Sequence, residues 1–85
     1  MKTFKLIISS PEGNVFDGEA TMLSLRGIEG ELAVMAGHVP FTTVIKPCDF
    51  RLALSDEDVK TGRTEGGILT VSAESVTFLS GRTQL

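Results

Sequence analysis

Four residues in this chain are of types that could carry chemistry: the carboxylates Glu29 and Glu31, the single histidine His38 and the single cysteine Cys48. Carboxylates two positions apart, on or beside a strand, put their side chains on one face near the sheet margin. General acid–base work by such a pair needs a cleft that moves the two pKa values apart. Nothing in the flanking sequence indicates one, and a solvated, partner-facing edge is the simpler reading. His38 could shuttle protons or ligate a metal. In Gly37-His38-Val39-Pro40 it more simply hydrogen-bonds its own loop. Cys48 follows Pro47 and has no second histidine to activate it, so it is expected as a semi-buried residue at a strand start. The glycines form no phosphate loop, because Gly-X-X-X-X-Gly-Lys is absent and Gly66-Gly67 opens a strand rather than a helix. A small enzyme built on Glu29, Glu31 and His38 therefore ranks last. No catalytic residue, cofactor or metal is expected.

The elements that position these residues are strands. Glu31 to Met35 alternates as a short strand, with Gly27 and Gly30 before it and Gly37 and Pro40 after it as turn punctuation. Pro40 biases Val39 toward extended geometry, so a new strand is expected near Phe41, running to Lys46 and ended by Pro47. Upstream, Thr3 to Ser9 reads as the first strand and Ser10 to Asn14 as a turn. Val15 and Phe16 resume apolar character, and Asp17-Gly18 is read as a break. From Glu19 to Arg26 the inward residues are Ala20, Leu23 and Leu25, and their uneven spacing predicts a β-bulge. Met22 is left on the other face.

Downstream, Phe50, Leu52 and Leu54 alternate cleanly, and Ser55 to Asp58 is an acidic loop. Val59 to Glu65 is polar enough to be a charged edge strand. Gly66-Gly67 is a hinge or bulge, Leu69 and Val71 point inward, Ala73 to Ser75 turns the chain, and Gly81 to Leu85 is expected to fray. Strands recur every eight to twelve residues with turn chemistry between them and without a helical period. That pattern predicts a two-layer antiparallel β-sandwich of about eight to ten strands. Its expected core is Phe4, Leu6, Ile8, Leu23, Leu25, Leu32, Val34, Phe50, Leu52, Leu69, Val71, Val76 and Phe78.

Composition bounds the function. At 85 residues the chain is one domain, burying roughly 60–65% of its extended surface. One cysteine excludes an intrachain disulfide and fits a reducing compartment. The net charge of −3, with no basic run, argues against nucleic-acid binding. No apolar run is long enough for a signal peptide or a membrane span, so membrane association would have to come through a partner. With no Trp or Tyr, the usual residues for stacking and interfacial anchoring are missing.

Several stretches, in order, resemble the N-terminal β-sandwich domain of the ε subunit of F-type ATP synthase. Phe4 to Ser10 followed by Pro11, Gly13 and Phe16 resembles that family's opening strand and turn. Phe16-Asp17-Gly18 matches its Phe-X-Gly element. Glu29-Gly30-Glu31-Leu32 and Gly37-His38 with Pro40 match its central signature. Thr43 to Pro47, Gly66 to Leu69 with Val71, and Val76 to Leu79 follow in register. The chain departs at Ala33-Val34, where the family commonly has Gly-Ile, at Ala36 for a proline, and at Val39-Pro40-Phe41 for Ala-Pro-Leu.

The resemblance implies a non-catalytic rotor subunit of the central stalk that couples ion translocation to ATP synthesis. Its partners would be the γ subunit and the polar loops of the c-ring, with Glu29, Glu31 and His38 in the region facing the c-ring. From strand parity, Met22, Thr42 and Val44 are assigned to the γ-facing surface. It further implies a single ε-type domain over residues 1–85 without the C-terminal helical hairpin of longer members. The expected location is peripheral, at the cytoplasmic face of the cell membrane, with no direct insertion. The alternative is a free-standing β-sandwich interaction module with no rotary role.

Overall fold

In the computed structural model, which describes residues 2–37 and 39–85, the chain forms ten strands among the described residues. In order they are β1 Phe4–Ser10, β2 Gly13–Ala20, β3 Met22–Gly27, β4 Gly30–Met35 and β5 Phe41–Ile45. There follow β6 Cys48–Ala53, β7 Val59–Thr64, β8 Gly67–Val71, β9 Ser75–Ser80 and β10 Thr83–Gln84. One layer runs β2-β1-β9-β8-β5 and the other β4-β3-β6-β7-β10. They join where Gly27 of β3 pairs with Ile45 of β5, flanked by bonds from Ile28 N to Val44 O (3.2 Å) and from Lys46 N to Arg26 O (3.0 Å). The β-sandwich expected from strand spacing is what forms. One pairing departs from antiparallel: β1 lies parallel to β9, with Leu6 opposite Val76 and Ile8 opposite Phe78. These two strands are distant in sequence, so no hairpin turn dictates their direction.

Inward residues from both layers make one core. Leu6, Ile8, Leu23, Leu25, Val34, Phe50, Leu52, Leu69, Val71, Val76 and Phe78 are buried, as alternation predicts. Phe4 and Leu32, expected in the core, are only partly buried and pack against its margin. Ala20 and Ile45 complete the core, Ile45 at the junction of the layers.

Three local expectations need correction. Asp17-Gly18 does not break the chain, because β2 runs through both, with Asp17 opposite Ile7 and Gly18 opposite Leu6. The uneven spacing from Ala20 to Leu23 is not a bulge but a corner at Thr21, where the chain leaves one layer for the other. Thr21 holds that corner by donating from N (2.8 Å) and Oγ1 (3.1 Å) to the carbonyl of Ala53. The sheet irregularity falls instead in the β1–β2 hairpin, between Ile8 and Ser9.

The C-terminal segment is not frayed either. β10 pairs with β7, Thr83 opposite Thr64 and Gln84 opposite Arg63. Gly62 permits this approach, since a Cβ there would collide with the carbonyl of Gln84 and the ring of Phe50. Beneath it lies a chain of hydroxyls. Thr83 Oγ1 donates to Ser80 Oγ (2.6 Å), which donates to Ser9 O (2.9 Å), so Thr64 Oγ1 is left to donate to Thr83 (2.9 Å). Thr64 in turn accepts from Gly66 N (3.0 Å). Replacing fully buried Thr64 by isosteric valine would strand the Gly66 amide and remove the bond that Thr83 accepts, leaving Thr83 its bond to Ser80. The expected loss is about 1–3 kcal/mol in urea melts. A loss indistinguishable from zero would mean that these hydroxyls do not hold the terminal strand.

Candidate functional site

Two surfaces stand out, and the β3–β4 hairpin links them. Gly27 pairs with Gly30, so the turn is the two residues Ile28-Glu29, and Gly30 takes φ +127°, a value that side chains other than glycine rarely adopt. This geometry projects Glu29 into solvent at the tip. It also sets Arg26 directly across from Glu31. The Arg26 guanidinium donates to Glu31 Oε1 at 3.0 Å, with the two side chains 55% and 78% exposed. Glu29 has no ion pair or side-chain hydrogen bond among the described residues. Both glutamates border an open hollow of about 280 Å³ that also includes Leu32, Phe41, Thr42 and Thr43. The pair therefore does share one margin of the sheet, as the spacing predicts, but Glu31 already has a cationic partner. His38 lies outside the described residues.

The second surface is the outer face of the first layer. Val44 pairs with Ile68 and Ile68 with Leu79, giving an apolar row across β5, β8 and β9. Their exposures are 48%, 48% and 57%. One step along lies a row of hydroxyls, Thr42 opposite Thr70 and Thr70 opposite Thr77. Within these three strands, among the described residues, no outward-facing position carries a charge. Exposed Ile28, whose amide bonds the Val44 carbonyl, extends the row to the hairpin tip.

The opposite outer face is different in kind. There Arg63 bonds Asp49 at 3.0 Å, and these two, the Arg26–Glu31 pair and Arg51 line one open groove of about 1080 Å³. Met22 lies on this layer, between Met35 and Ala53. It thus shares no face with Thr42 and Val44, because the corner at Thr21 puts β3 in the other layer. Strand parity alone could not show this, since parity says nothing about which layer a strand joins. Sequence reading also missed Ile68 and Leu79. The signal was there: Ile68-Leu69 and Phe78-Leu79 place apolar side chains on both faces of their strands.

Among the described residues no group of three or more His, Cys, Asp and Glu is placed to hold a metal. Cys48 is half-buried, with Sγ 3.9 Å from the carbonyl of Arg26. Among the described residues no helix is long and apolar enough to cross a membrane. What the arrangement can do is bind protein: three adjoining strands, β5, β8 and β9, whose outer side carries no charge, beside a hairpin that carries carboxylates.

Comparison with known proteins agrees with the resemblance in the sequence. Residues 3–84 match the family described as "ATP synthase, Delta/Epsilon chain, beta-sandwich domain". The chain is 38% identical, over 79 residues, to the sodium-ion-specific ATP synthase epsilon chain of Acetobacterium woodii. That alignment covers 93% of this chain and 59% of the relative, so the chain spans about three-fifths of the curated relative it matches. Two solved assemblies share the fold. One is the central stalk and c-ring of the Tetrahymena thermophila mitochondrial ATP synthase (TM-score 0.81, 10% identity, 96% of this chain and 66% of the other). The second is the Euglena gracilis mitochondrial ATP synthase, OSCP/F1/c-ring (TM-score 0.88, 17% identity, 95% and 52%).

Proposed function

Because the chain belongs to the β-sandwich family of the ATP synthase delta and epsilon chains, we propose that it acts as a non-catalytic subunit of the rotor stalk. In this reading it binds γ and rests on the polar loops of the c-ring, helping couple ion translocation to ATP synthesis. The location follows from the partners: peripheral, at the cytoplasmic face of the cell membrane. The observation that carries the reading is the family match over nearly the whole chain, joined to the contrast between the two outer faces.

Burying charges against a partner costs free energy unless each finds a mate. The centres of protein interfaces are accordingly poor in charge and rich in apolar side chains. The face of Val44, Ile68 and Leu79, with its threonine row, meets that description, and it includes two of the three residues assigned to γ from the sequence. The face with Arg26, Arg51 and Arg63 does not. At the adjoining margin, Glu29 and Glu31 would meet cationic c-ring loops, where rim charges chiefly steer and register the partners. A rotor element must also turn without deforming. Two-residue hairpin turns and the locked corner at Thr21 make this domain a stiff adaptor.

The test is assembly. The chain should co-purify with γ alone, and more tightly with γ bound to the c-ring. Failure to associate with either would sink the rotor assignment in favour of a free-standing module.

A further inference from the structure

Taking as premise the reading just given, that the β3–β4 hairpin meets a cationic partner loop, we propose that Arg26 sets the charge the hairpin presents. It does so by holding Glu31 in an internal ion pair and leaving Glu29 as the carboxylate available to the partner. The premise of two equivalent glutamates is what the geometry denies. Arg26 and Glu31 are opposite each other in the antiparallel pair, and the guanidinium reaches Glu31 Oε1 at 3.0 Å. Glu29, in the two-residue turn, has no such mate among the described residues. Arg26, Glu29 and Glu31 together carry one positive and two negative charges, so the hairpin presents a net −1 rather than −2.

Three consequences follow from electrostatics. A partner cation approaching Glu31 must displace a guanidinium already in place or share its carboxylate. Removing Arg26 raises the negative charge at the hairpin and releases Glu31. Removing Glu31 does the reverse, since it unmasks a cation beside the partner's own. Arg26 is therefore a specificity-determining residue for the contact, although it does not attract the partner. An exposed pair of this kind contributes weakly, so each single change should move affinity by about two- to fivefold. The shifts should fade as salt shortens the reach of the charges to a few ångströms.

The experiment measures binding of the full chain to γ bound to the c-ring in lipid nanodiscs, at low and high ionic strength. Arg26→Gln should tighten binding at low salt and Glu31→Gln should weaken it. The double variant should return to the wild-type value, because an internally neutral pair has been deleted as a unit. Arg26→Lys, which keeps the charge, should also stay near wild type. All these positions are exposed, so each variant should fold, and circular dichroism melts are to be run on each before binding is compared. If Arg26→Gln leaves binding unchanged, or the double variant binds as weakly as Glu31→Gln alone, the proposal is overturned. Glu29→Gln separates the two levels of the argument. Weakened binding in Glu29→Gln, alongside a silent Arg26, overturns the role of Arg26 while the c-ring contact stands. No change in any variant, Glu29→Gln included, removes the contact itself and the proposal with it.

Discussion

Replacing Phe78 by alanine should lower the stability of this domain by about 3–5 kcal/mol, the cost of removing a large, fully buried aromatic side chain. Phe78 is completely buried and stands opposite Leu69 on one side and Ile8 on the other, at the middle of the β8-β9-β1 run. Domains of this size are stable by roughly 5–15 kcal/mol, so the loss would consume about a fifth or more of the total. The adjacent residue is an internal control. Leu79 faces out, and its truncation should cost less than about 0.5 kcal/mol. Denaturant melts should show a large fall in midpoint for Phe78→Ala and almost none for Leu79→Ala. Equal effects would mean that the parity of β9 is wrong, and with it the outer row that the functional reading uses.

Alternation carried most of the fold because each layer buries one face. Leu6 and Ile8, Leu69 and Val71, or Val76 and Phe78 can be placed from their spacing alone. What alternation could not show was anything settled by contacts distant in sequence. Asp17-Gly18 has turn-forming residue types, yet β2 is an edge strand where Asp17 faces solvent and bonds Lys5 at 2.8 Å. Gly18 sits by the Phe16 ring, where a Cβ would approach Cζ to 3.3 Å. Pairing with β1 overrides the local preference, as is usual in sheets. The last strand was hidden for a similar reason. Thr83 is buried by hydroxyl bonds to Thr64 and Ser80, and polar residues that are inward for such a reason leave no hydrophobic period.

The candidate site was half legible. The signature stretch pointed to Glu29 and Glu31, and both do border one hollow. Their inequality depends on register. Once the turn is known to be two residues long, Arg26 must face Glu31, but turn length could not be fixed by the glycines alone. Of the outer side of β5, β8 and β9, only Thr42 and Val44 were legible. Ile68 and Leu79 join it through strand pairing across three strands, which no spacing rule supplies.

Ile68→Asp is expected to have the largest effect on assembly. Ile68 is the middle member of the apolar row, flanked by Val44 and Leu79 on the neighbouring strands. In the free domain the position is exposed, so a carboxylate there remains hydrated and the fold should tolerate it. Against γ the same carboxylate would lose its water in the middle of three strands, β5, β8 and β9, that offer no cation of their own. Lost apolar contact adds to that desolvation, and together they should cost about 3 kcal/mol or more, a weakening of over a hundredfold. Thr61→Asp provides the matched control. It is also exposed and on a strand, but it lies in the charged groove of the opposite layer and should leave γ binding intact. Salt separates this effect from that of Arg26, since a desolvation cost persists at high ionic strength whereas a rim charge is screened. Titration of γ with the two aspartate variants, each first shown to melt like the parent, gives the result. If Ile68→Asp binds γ as the parent does while Thr61→Asp does not, the docking face belongs to the layer of β3, β6 and β7. Met22 would then be the one residue of the original three correctly assigned to γ.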